Sequence, residues 1–104
     1  MRALGLLFAL LQVGAVRADD EEVLQTKQAF DPKSISVAAG AAVRFVNGDD
    51  VKHNLQSVAP DGTRTDYGVA PPGQVTPITF AAAGEYTVVC GIHPRMKLKV
   101  SVHP

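Results

Sequence analysis

An all-β sandwich or barrel is the fold this sequence predicts, on three observations. From Val23 onward the chain is a series of short runs rich in Val, Ile, Thr, Phe and Tyr, residues that suit a pleated, half-buried surface. Clusters of Gly, Pro, Asn and Asp separate those runs at the intervals that strands and turns need. At the carboxyl end Met96, Leu98, Val100 and Val102 interleave with Arg95, Lys97, Lys99, Ser101 and His103, a period of two that turns the first set inward and the second to solvent.

The first eighteen residues stand apart from that pattern. Arg2 precedes an apolar run over residues 3–11 that continues weakly to Val16, and Val16-Arg17-Ala18 precedes Asp19; this reads as a secretory signal removed after Ala18, and so as a periplasmic or otherwise secreted protein. Gln12 and Gly14 interrupt the run, which falls short of the about 20 apolar residues of a membrane span, so no stable membrane insertion is expected. Residues 19–104 then make one domain.

Within that domain residues 19–22 are an acidic start and residues 23–30 a first strand. Asp31-Pro32 turns the chain into a second strand at residues 35–37, and Gly40 allows a tight return into a third at 43–47. Residues 54–74 contain Pro60-Asp61-Gly62, Tyr67-Gly68 and Pro71-Pro72-Gly73, which predicts surface loops with at most one short, irregular strand. Ile78 and Phe80 belong to the next strand, where Pro77 calls for an exposed edge or a bulge. Gly84 opens the strand that ends at Cys90, with Tyr86, Val88 and Cys90 on one face.

Eight Lys or Arg against ten Asp or Glu leave residues 19–104 at −2 with neutral His, which gives no bias toward nucleic acid or an anionic membrane. A single cysteine excludes a disulfide within the chain, and in an exported protein it points to intermolecular pairing, a reactive thiol or a metal ligand. Without Met1, Met96 is the only methionine.

The segment Cys90-Gly91-Ile92-His93-Pro94-Arg95-Met96 joins a thiol, an imidazole and a thioether at x2 spacing, and His53 lies 37 positions before Cys90. Two His, one Cys and a weak Met suit copper in both oxidation states, because sulfur favours Cu(I) and imidazole also accommodates Cu(II). His53, Cys90, His93 and Met96 are therefore the candidate metal ligands. Each has a plainer reading: a small buried hydrophobe for Cys90, surface histidines for His53 and His93, core packing for Met96.

These residues, together with Gly40, Phe45, Asn47, Asn54, Pro72-Gly73, Phe80 and Gly84-Glu85-Tyr86, resemble the small cupredoxins, and the ligand loop is most similar to that of amicyanins and pseudoazurins. The likeness spans residues 30–102; Gly91-Ile92 and Arg95 depart from the expected family sequence. It implies a Greek-key sandwich with one copper at one end, and a type 1 (blue) copper protein rather than an enzyme. Such a protein is a monomer that shuttles single electrons between redox proteins, with a quinoprotein dehydrogenase as donor and a c-type cytochrome as acceptor. It implies that His93 is the exposed ligand for electron entry and exit, that Pro94 stiffens the ligand loop, and that Tyr86 forms a structural tyrosine corner. Asn54 would support the ligands by tying the His53 loop to the Cys90 loop, or act simply as a polar turn residue. Val69-Ala70-Pro71-Pro72 with Pro94 makes either a docking patch or an ordinary rigid loop, and Arg95, Lys97 and Lys99 either steer an acidic partner or are only solvated. The alternative function is a periplasmic copper-binding or delivery protein. A hydrolase built on Cys90 and His93 would need an orienting third group that the chain does not display.

Overall fold

The computed structural model describes residues 21–104, so the expected leader at 1–18 lies outside the described residues. Among the described residues there are nine strands and no helix. They are β1 (Glu22–Thr26), β2 (Ala29–Asp31), β3 (Ser34–Ala38), β4 (Ala41–Asn47), β5 (His53–Val58), β6 (Arg64–Ala70), β7 (Val75–Phe80), β8 (Gly84–Cys90) and β9 (Lys97–His103). One sheet has the order β2-β1-β4-β7 and the other β3-β9-β8-β5-β6. Because the chain repeatedly crosses between sheets, β1 lies parallel to β4 and β3 parallel to β9, while the other pairs are antiparallel.

Period-two alternation builds the core. Val23, Val43 and Phe45 from the first sheet meet Leu55, Val88, Leu98 and Val100 from the second, all sealed from water. Each such side chain contributes about 1.5–3 kcal/mol by its burial. Phe30 meets Phe45 edge to face, with ring centroids 6.1 Å apart. Gly40, with φ +89°, makes the predicted return between β3 and β4. The Tyr86 hydroxyl donates to the Ala82 carbonyl at 2.8 Å, and its ring packs on Phe80, as the tyrosine-corner expectation requires. Pro77 lies on β7, an edge strand, where a missing N–H costs the sheet nothing.

Two expectations are corrected. Residues 23–30 are not one strand but the hairpin β1–β2, closed by the two-residue turn Lys27-Gln28 with both φ values positive, at 53° and 55°. Two-residue hairpin turns with both φ positive favour Asn or Gly, and neither residue is present to announce the turn. The stretch expected to be mostly loop carries two full strands, β5 and β6, whose hairpin turns at Pro60-Asp61-Gly62. β6 is an edge strand exposed along most of its length, and β5 buries His53, Asn54 and Ser57 beside Leu55. Neither strand carries the apolar alternation by which strands are recognised.

Gln25 is the anomaly of this core. Its side chain is completely buried and neither its amide nitrogen nor its oxygen has a partner among the described residues.

Candidate metal centre

The fold brings three sequence-distant segments to one end of the sandwich. His53 opens β5, Cys90 closes β8, and the antiparallel register sets Leu55 opposite Cys90, so the two strand ends meet. The loop from Gly91 to Met96 then returns the chain into β9, with the Met96 N–H donating to the His93 carbonyl at 2.9 Å.

Within this frame His53 Nδ1 lies 3.6 Å from Cys90 Sγ, His93 Nδ1 lies 3.8 Å from the same sulfur, and the two Nδ1 atoms are 3.1 Å apart. One ion held at about 2.0 Å from nitrogen and about 2.3 Å from sulfur spans ligand edges of roughly 3.3–3.7 Å. The three separations lie within about 0.2 Å of those edges, so the donor triangle can close on a single soft-to-borderline cation, and its chemistry fits copper. His53 and Cys90 are buried, and His93 is half-buried. Met96, the fourth candidate, is buried at the foot of the same loop, at 1% exposure.

Polar contacts hold each donor. The Asn54 backbone N–H donates to Cys90 Sγ at 3.3 Å, a bond that orients the sulfur. The Asn54 side chain turns the other way: its amide donates to Asp66 Oδ1 and the Gly68 carbonyl on β6, each at 2.9 Å, and its oxygen accepts from Gln56 at 2.7 Å. The tie between the loops is thus made by the backbone, because the side chain points across the sheet to the edge strand. Asp66 is held below the ordinary value of 3.8, chiefly by the Gly68 N–H and then by the Asn54 amide, against a small opposing effect of burial.

Sequence reasoning missed Asp49 and underrated Asn47. His53 Nε2 lies 2.8 Å from Asp49 Oδ2. The same carboxylate accepts the N–H groups of Lys27 and Gln28 at 2.9 and 2.8 Å. Burial pushes the Asp49 carboxyl up, but the N–H of Gln28, the His53 ring and the N–H of Lys27 together outweigh it and hold the group below 3.8. Asn47 shapes the loop that carries both residues, donating to the carbonyls of Val51 and Ala70 and accepting from the Asp49 N–H. A carboxylate four positions before a candidate His ligand was the available signal, concealed in the loop-like run Gly48-Asp49-Asp50.

Around His93 a groove is lined by Lys27, Gln28, Ile92, Pro94 and Arg95. Val69 is exposed, but Ala70 is buried beside His53 and drops out of any surface patch.

Comparison with known proteins agrees with this geometry. The profile of the family described as "Copper binding proteins, plastocyanin/azurin family" matches residues 18–103. Amicyanin-alpha of Methylorubrum extorquens is 31% identical over 102 residues, covering 90% of this chain and 86% of the relative. Methylamine utilization protein MauL of the same organism is 31% identical over 98 residues, covering 93% and 86%. A solved Cu(I) amicyanin variant superposes with a TM-score of 0.73 at 26% identity, over 80% of this chain and 81% of that one. A sandwich with a His-Cys-His donor triangle at one end, and a family match over nearly the whole chain, lead to one assignment: the protein belongs to the plastocyanin/azurin family of copper-binding proteins, the cupredoxins, and its cofactor is copper.

Proposed function

We propose that this chain is an exported carrier of single electrons between two redox proteins, in which His53, Cys90 and His93 would hold the copper and Met96 would add a weak fourth ligand. Copper held by these residues would supply a one-electron Cu(II)/Cu(I) couple, with no substrate bond made or broken by the protein. The observation that carries the reading is the convergence of His53 Nδ1, Cys90 Sγ and His93 Nδ1 on one point at the end of a closed β-sandwich. A carrier needs a cage that changes little between oxidation states. Here two strand ends in fixed register hold His53 and Cys90, and the Asn54 N–H keeps the sulfur oriented.

His93 is the one nitrogen or sulfur donor of the triangle that reaches the surface, which supports its role as the point of electron entry and exit. Pro94 follows it directly, fixing φ and removing a backbone donor. The exposed Ile92, Pro94 and Val69 offer apolar surface, enough for a transient interface below about 1,200 Å². Likeness to an amicyanin and to a methylamine utilization protein supports a quinoprotein dehydrogenase as donor and a c-type cytochrome as acceptor. Export rests on the leader pattern of residues 1–18, and N-terminal sequencing of the exported protein is expected to begin at Asp19.

The test is to load the protein with Cu(II) and record visible and electron paramagnetic resonance spectra before and after mild reduction. An intense blue band with narrow hyperfine splitting, bleached reversibly, is the expected result. Copper bound without those signals would favour storage or delivery, and no stoichiometric binding would remove the proposal.

A further inference from the structure

Asp49 makes three contacts that no other acidic residue described here makes together: it accepts from Lys27 N, from Gln28 N and from the ring of His53. Its side chain is 11% exposed and that of His53 is fully buried, so water does not substitute for either partner. The two N–H groups come from a turn whose residues both hold left-handed φ values without being glycine, a conformation that is retained only where its surroundings enforce it. The carboxylate supplies that enforcement, and the Asn47 side chain fixes its backbone from the other side through the Asp49 N–H.

With Nε2 as the ring's donor to Asp49, the Nδ1 lone pair is left facing Cys90 Sγ and His93 Nδ1. A carboxylate behind a ligating imidazole fixes its tautomer and raises its basicity. Its negative charge also favours the higher oxidation state of a nearby ion.

We propose that Asp49 is a positioning residue of the metal centre, which holds His53 in the Nε2–H tautomer and shifts the copper couple toward Cu(II). The inference rests on the copper-carrier reading above and adds to it a residue outside the four ligands.

The experiment has two parts. In the copper-free wild-type protein, where no metal fixes the tautomer, nitrogen-15 NMR is expected to find His53 with its proton on Nε2, protected from exchange; a proton on Nδ1, or one exchanging freely, would overturn the proposal. In the copper-loaded Asp49→Asn protein the reduction potential is expected to rise, and copper affinity to fall by about 10–100-fold. Lower thermal stability with unchanged potential and affinity would reduce Asp49 to a turn-holding residue and sink the proposal. The wild-type measurement stands even where the variant does not fold. Wild-type protein without a blue band would instead remove the carrier reading itself, so the two failures are distinguishable.

Discussion

A Cβ added at Gly91 would lie 2.5 Å from Asn54 Oδ1 and 2.8 Å from Gln56 Nε2, closer than packed atoms come. Gly91→Ala is therefore expected to push the Asn54 amide out of place and to destabilise the protein by about 1–3 kcal/mol, measured by urea unfolding. Gln25 offers the opposite case, since its buried amide has no partner among the described residues. Gln25→Met keeps the shape and removes the orphan groups, and is expected to stabilise the protein by about 1–3 kcal/mol in the same assay; a loss of stability would show that the amide is satisfied after all. Cys90, His93 and Met96 were legible as candidates in the sequence because their x2 spacing places donors of different softness on one loop. Asp49 was not, because its role depends on a through-space approach to Nε2 that residue type does not announce.

At the level of elements, the β1–β2 turn carries the strain. Gln28→Gly relieves a left-handed residue at the cost of chain entropy, so a net gain of about 0.5–1 kcal/mol is expected in thermal unfolding. The β5–β6 pair carries a pH dependence. The Asp66 carboxyl is depressed in the folded protein, so its contribution is present above the ordinary value of 3.8 and is lost as pH falls through the lower folded value. A carboxyl-resolved NMR titration should find its midpoint below 3.8, with the Gly68 amide losing protection from exchange over the same range; a midpoint at or above 3.8 would contradict the Asp66–Gly68–Asn54 contacts. Strands with one apolar face, β3, β8 and β9, were readable because solvent and core divide their residues by parity. β6 was not, since an edge strand with both faces largely exposed imposes no such division.

At the scale of the molecule, the proposed ligands join β5 to β8 and the β8–β9 loop, so on that reading copper binding and folding are linked. An ion present at a thousand times its dissociation constant adds about 4 kcal/mol, which for a domain of this size raises the melting temperature by roughly 15–30 °C. Calorimetry with and without Cu(II) should find that shift in the wild-type protein and lose most of it in Cys90→Ser. The all-β class was legible because the turn residues and the terminal alternation survive without any knowledge of pairing. The sheet order was not, because β1 pairing with β4 and β3 with β9 are long-range choices that no local run encodes.

Of the donor triangle only His93 meets solvent, in the groove that it shares with Lys27, Gln28, Ile92, Pro94 and Arg95. On the carrier reading, donor and acceptor must then take turns at one berth. Each is a competitive inhibitor of the other's reaction, and an excess of oxidised donor should slow turnover as surely as a shortage of the reduced form.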